Sequence, residues 1–201
     1  MRFPSRTTAL AVPGIACAGV LAMILVAGAG GNAVASDQPT VVPDVTRPAR
    51  AAVTPHAVPV VLEPPAGNAV TSVFAAAGVQ VYQCTAGAWA FVEPVATLTS
   101  RPRGPLGPHT AVHFRGPTWQ SAVDGSLVVA AAAASSPVAG SIPELLLQAR
   151  SNAGSGVFGQ VTYIQRLATS GGVAPAAPCT EGARAAVPYR AEYRFFAAAT
   201  G

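Results

Sequence analysis

The chain contains no lysine, and all twelve of its basic residues are arginine. Charged residues make up only 10% of the sequence against 51% hydrophobic, and much of that hydrophobic share is alanine, which buries little area. An arginine-only, Ala/Gly/Pro-heavy composition reflects a GC-rich coding sequence, so abundant Ala and Arg say little about the chemistry. The arginines are dispersed. A surface that tracks phosphates needs a basic cluster interleaved with aromatics, and without one no nucleic-acid partner is expected. No Gly-rich dinucleotide fingerprint is expected after a strand, no parallel α/β alternation is evident, and no Gly-x-Ser-x-Gly elbow lies between a strand and a helix. Neither a cofactor nor a metal is expected.

The net charge of +4 belongs partly to the N-terminus. Residues 1–35 hold Arg2, Arg6 and no acid; without them ten arginines face eight acids, a net charge of +2. Those two arginines form a basic n-region, and an apolar stretch runs from about Ala9 to Ala29. Ala33-Val34-Ala35 then supplies a small-x-small cleavage pattern before polar Ser36-Asp37. This order reads as a secretory leader cleaved near Ala35-Ser36, giving a protein secreted or held at the cell envelope. An uncleaved leader would be the chain's one attachment to a membrane; Pro13 and the glycines within it argue for cleavage.

Only three cysteines are present, and Cys17 falls within the leader. Cys84 and Cys179 remain. An even pair in an exported protein predicts a disulfide rather than a reactive thiol or metal pair. Closing a loop of about a hundred residues is worth roughly 4–5 kcal/mol in chain entropy, with measured values nearer 2–4.

Residues 36–65 read as a Pro-rich linker, with Val58–Leu62 a candidate edge strand and His56 an exposed linker residue. The domain should occupy 66–201. Val79–Cys84 alternates strictly, Thr85-Ala86-Gly87 makes a turn, and Ala88–Leu98 is a second extended run broken by Pro94, so a hairpin is expected. Thr110–Phe114 and Thr118–Gln120 flank the Gly116-Pro117 break, and Asp124-Gly125 turns the chain into Ser126–Ala134. Ser141-Ile142-Pro143-Glu144 resembles a helix N-terminus and predicts one short helix through Leu145-Leu146-Leu147 to Arg150. Val161–Leu167 and Val187–Phe195 are further strands, the last with Tyr189, Ala191, Tyr193 and Phe195 inward. The pattern predicts an all-β sandwich or barrel with one short helix.

In order along about 70–196, Val79–Cys84, Trp89 with Phe91, Gly116-Pro117-Thr118-Trp119, Asp124-Gly125-Ser126, Ile142-Pro143 with Leu145-Leu146-Leu147, Ile164-Gln165-Arg166, Gly171-Gly172, Ala174-Pro175, Cys179 and Val187-Pro188-Tyr189 form a set. Each piece alone is weak; the ordered set resembles the secreted domain-of-unknown-function family 3455. The resemblance implies a secreted bacterial or fungal protein and carries no established activity. Some fungal relatives bear the name malate dehydrogenase, which nothing in this sequence supports. The chain departs from the family pattern at Glu144, where the family has Trp, and at Phe114-Arg115, where it has an aromatic-Ala pair.

His109 and His113 are the histidines of the domain. On a strand, residues four apart share a face but sit about 13 Å from each other, too far for one metal ion. A hydrolase or lyase would recruit His109 or His113 as base, Asp124 as orienter and Ser126, Ser121 or Thr118 as nucleophile; the hairpin turn explains Asp124-Gly125-Ser126 without catalysis. Glu93 and Asp124 are the carboxylate pair a glycosidase would need. Arg166 is expected either in an ion pair with Asp124 or Glu93 or as an anion-binding group. Trp89, Trp119, Tyr82, Tyr163, Tyr189 and Tyr193 either fill a core or line a groove for sugars or other ligands. The leading expectation is a non-catalytic binding or structural module. Its ligand-binding candidates are Trp89, Trp119, Tyr82 and Arg166, and its partner would be a cell-wall or extracellular glycan or a protein.

Overall fold

The computed structural model describes residues 56–100 and 108–200. The expected leader, its cleavage point and linker residues 36–55 lie outside the described residues. Eight strands follow in chain order: β1 Asn68–Thr85, β2 Ala88–Ser100, β3 Thr110–Phe114, β4 Thr118–Ser121, β5 Leu127–Ser136, β6 Glu144–Ala153, β7 Val161–Gly171 and β8 Arg184–Ala198. Each pairs antiparallel with its neighbour in sequence, and β8 pairs back onto β1 from Asn68↔Ala198 to Gln83↔Arg184. The result is a closed up-and-down barrel.

The predicted hairpin is present: Thr85 pairs with Ala88, and Ala86 and Gly87 both take positive φ (52° and 76°), the geometry of a two-residue turn. Pro94 does not break the second run. β3 meets β2 only from Ala96 onward, so the missing Pro94 N–H leaves no ladder bond unmade on that side. Further along β1, a Cβ at Gly78 would lie 2.2 Å from the Val95 carbonyl oxygen, so only glycine lets the two strands approach there.

The predicted helix at Leu145–Arg150 is instead β6. Leu145 and Leu147 face the barrel interior, while Leu146 faces outward into a second apolar cluster with Leu62 and Leu167. A strand buried on both faces loses its alternation, and three successive leucines then read like a helix. The cover on the outer face comes from the expected linker. Val60–Leu62 is a 3-10 turn rather than an edge strand, with Leu62 fully buried and its carbonyl accepting from Gln165 Nε2 at 2.8 Å. Nor is His56 free of partners: its Nε2 lies 2.6 Å from Oε1 of the buried Glu144 carboxylate, which also accepts from the Ala168 N–H. Ser141, the predicted helix cap, donates to the Gly171 carbonyl.

The two barrel ends differ. At one end the loop 154–160 carries Phe158, fully buried against Phe74 and Phe195 (centroids 5.7 and 4.6 Å). The Asp124 carboxylate accepts from the Val157 N–H at 3.0 Å and the Ser126 N–H at 2.9 Å, Ser126 Oγ accepts from the Phe158 N–H, and Asn152 Nδ2 donates to the Phe158 and Val161 carbonyls. Desolvation raises the Asp124 pKa, but these bonds, with further ones from Ser126 Oγ and Ser121, outweigh it and hold the group down to about 2. Residues 154–159 do spell Gly-x-Gly-x-x-Gly after a strand, yet they lead into β7 and offer no helix N-terminus to a pyrophosphate.

At the other end Cys84 and Cys179 form the expected disulfide, Cα atoms 5.8 Å apart across 95 residues of sequence. Trp89 Nε1 donates to the Ala177 carbonyl, and the Ala86 N–H to Glu181, so the 172–183 loop is held to the β1–β2 hairpin.

Asp124→Ala releases the loop that carries Phe158 and should lower stability by about 1–3 kcal/mol, read from urea midpoints, with Phe158→Ala costing about 3–5 kcal/mol. Reducing the disulfide should cost about 2–4 kcal/mol, measured as a lowered melting temperature matched by the Cys84→Ala/Cys179→Ala double variant.

Candidate functional site

Eight strands enclose an interior just wide enough to be filled by side chains or to hold one small ligand. Here Phe74, Phe158 and Phe195 fill one end, and the other end opens as a cavity of about 290 Å³. Inward positions of β1, β3, β4, β7 and β8 supply Gln80, Tyr82, His113, Trp119, Arg166 and Tyr193. Apolar wall comes from β2 and β6 and the segment before β6, chiefly Phe91, Val92, Pro94, Ile142, Leu145 and Leu147. Alternation puts them there. Once Phe74 and Tyr193 face in, every second residue toward the open end must do so too.

His113 is stacked flat on Trp119, ring centroids 4.2 Å apart and planes 6° off parallel, with Tyr193 edge-on to both. Its Nδ1–H donates to the Thr118 carbonyl at 2.9 Å, which fixes the tautomer and leaves Nε2 an acceptor. Burial, reinforced by the nearby Arg166 charge and only partly offset by the Thr118 bond, pushes its pKa down to about 4, so the ring is neutral at pH 7. Burial raises the Tyr82 and Tyr193 hydroxyls, with Arg166 pulling the other way. Tyr82 spends its hydroxyl on the Gly172 carbonyl at 2.6 Å.

Arg166 does not make the expected ion pair. Its Nε and Nη2 donate to the Pro143 carbonyl at 3.1 and 2.8 Å, and among the described residues no carboxylate lies within salt-bridge distance of it. Glu93 pairs instead with the exposed Arg115 at 3.3 Å. Two further N–H groups of the lining residues, Gln80 Nε2 and Trp119 Nε1, are buried with no partner.

Of the four expected ligand-binding residues, Tyr82, Trp119 and Arg166 share this cavity; Trp89 lies outside it, holding the 172–183 loop. Tyr163 packs on the outer cluster with Leu62. The hydrolase constellation is not assembled. His113 sits in the cavity, whereas Asp124 and Ser126 are committed to the loop at the closed end, and no hydrogen bond joins His109 or His113 to Asp124. Glu93 and Asp124 likewise sit toward opposite ends of the barrel. His109 and His113 are on one extended segment, and among the described residues no group of three metal-ligating side chains occurs. A second cavity of about 390 Å³ is lined by Ser72, Phe74, Ser100 and His109. Ser100 and His109 flank residues 101–107, which lie outside the described set. Gln80 was missed from sequence. Its place opposite Val79 and Val81 was visible, but nothing there showed that the polar face turns inward.

The family described as a protein of unknown function, DUF3455, matches residues 65–197. The chain belongs to this family. No curated protein and no solved structure matches it. The match takes in all eight strands but for the last residue of β8, and with them every residue lining the cavity. Among the described residues no helix is long and apolar enough to cross a membrane.

The unfolded chain protonates His113 near pH 6.5 and the folded one only near 4. Between those values the unfolded state holds more protons, so stability falls as pH drops through the window and levels off below it. The loss should be about 3 kcal/mol. Urea midpoints across pH 7 to 4 should show this slope, and His113→Phe should flatten it relative to the parent.

Proposed function

We propose that the domain is an exported, non-catalytic binding module that takes a small ligand into the open end of its barrel. One observation carries this reading: a closed barrel, filled at one end by Phe158, leaves at the other a cavity walled by Phe91, Trp119, Ile142, Leu145 and Leu147, with a few polar groups set among them. Concave, mostly apolar sites with few polar groups are the form small-molecule sites take, and a volume of about 290 Å³ falls at their small end. Export is supported by the basic-apolar-Ala-x-Ala leader pattern and by the disulfide, which persists in oxidising compartments. A non-catalytic role is supported by the separation of His113 from Asp124 and Ser126, since a triad needs them within hydrogen-bond reach.

Ligands that bind only the folded state raise the melting temperature by mass action. The disulfide-bonded domain should therefore show a saturable, concentration-dependent rise with one class in a panel of small acids, neutral apolar compounds, glycans and cell-wall fragments. Leu145→Trp, which fills the cavity, should abolish the rise while leaving the β-sheet circular-dichroism spectrum intact. Phe91→Ala, at the exposed rim, should weaken binding about tenfold. A ligand that shifts the parent and Leu145→Trp equally would place binding elsewhere and end this reading.

A further inference from the structure

The cavity is lopsided in charge. Arg166 is its one charged lining residue, and no acid lines it. A guanidinium has five N–H donors, of which the Pro143 carbonyl engages two. Trp119 Nε1 and Gln80 Nε2 add buried donors with no partner. On the acceptor side stand the neutral His113 Nε2, the tyrosine hydroxyls and the Gln80 carboxamide oxygen. Tyr82 gives its proton to Gly172 and keeps its lone pairs, and the Tyr193 hydroxyl lies 3.5 Å from that of Tyr189 outside the lining.

An uncompensated cation in an apolar recess is costly, and the cost is relieved by an anion that brings acceptor oxygens of its own. A cationic ligand would meet Arg166 with no carboxylate to receive it. A sugar needs polar groups around most of its hydroxyls, and the wall here is Phe91, Val92, Pro94, Ile142, Leu145 and Leu147. These side chains match a hydrocarbon body instead.

Resting on the binding reading above, we propose that the cavity takes a small organic carboxylate with an apolar aliphatic or aromatic body, its carboxylate on Arg166 and its body against the Phe91–Leu147 wall. The volume, about 290 Å³, corresponds to roughly ten water-sized groups, which sets benzoate- to octanoate-sized acids as the fitting range. Arg166 in this role is a binding residue and performs no chemistry. Its spacing after Ile164 and Gln165 on β7 places it inward, and its bond to Pro143 ties its guanidinium to the segment leading into β6.

The test uses the intact, disulfide-bonded protein and three matched series. The acids are benzoate, hexanoate and octanoate; the neutral analogues are the corresponding amides; the cations are benzylamine and hexylamine. Calorimetric titration and thermal shift should show the acids binding at least tenfold more tightly than the amides, with the amines silent. Arg166→Met should lose that preference by lowering acid affinity to the amide level, and Arg166→Lys, which keeps the charge without the planar fork, should retain part of it. If Arg166→Met does not fold, the acid-against-amide ratio on the parent protein decides the matter by itself. Amides binding as tightly as acids, with both abolished by Leu145→Trp, would overturn the carboxylate proposal and leave the binding cavity standing. Silence from all three series, with a glycan shifting the parent and Leu145→Trp alike, would overturn both.

Discussion

The pairing of β8 with β1 is the constraint on which the rest depends. It runs nearly the full length of both strands and turns a meander into a closed surface with an inside. Closure leaves only short unpaired stretches, such as β2 before Ala96, and there Pro94 occupies the open side. It also makes inward positions a shared resource. Interior volume not taken by a side chain remains as cavity, because the wall cannot collapse without breaking ladder bonds. Phe158 is the residue that settles the division. Held by Asp124, Ser126 and Asn152, it fills one end, and the other is left to smaller groups and an arginine.

Much of this was legible in the sequence wherever one face of a strand is solvated. The Ala86-Gly87 hairpin, the Asp124-Gly125 turn and the inward row Tyr189, Ala191, Tyr193 and Phe195 all come from period-2 alternation and turn chemistry. The reading failed where both faces are covered. Leu145-Leu146-Leu147 lost its alternation because Leu62, within the expected linker 36–65, lies over the outside of β6. No local signal marks a distant segment that returns as a cover. The same blindness affected Glu144, whose carboxylate is buried by His56 from that same returning segment.

The site was legible in its membership more than in its chemistry. Tyr82, Trp119 and Arg166, candidates from three strands, share one cavity because each falls on the inward phase of its strand's alternation. Their partners depend on closure. Arg166 was matched to Asp124 or Glu93 by charge alone, yet Asp124 is consumed at the opposite end and Glu93 faces Arg115 outside. Trp89 and Tyr82 belong to adjacent strands, but on β2 the indole faces the 172–183 loop, and its N–H holds that loop instead of a ligand. Strand period assigns a face; it does not say which end of the barrel that face reaches.

The groups lining the cavity are held in place by bonds within the chain. His113 is kept neutral by burial and locked in one tautomer by Thr118, and its ring is clamped flat against Trp119. The disulfide and the bonds from Trp89 and Ala86 fix the 172–183 loop, whose Gly172 carbonyl in turn fixes the Tyr82 hydroxyl in the cavity wall. Each of these removes conformational freedom before any ligand arrives, so binding does not have to supply that ordering. Arg166 is then the one strong charge in a rigid, mostly apolar recess, where hydrogen bonds and charge interactions are less attenuated than at a solvated surface. A single guanidinium on the outer wall would be screened and unselective. Turned inward at the middle of β7, with Leu145 opposite it on β6, the same group would, on the binding reading proposed above, discriminate by charge and by the shape of what carries the charge.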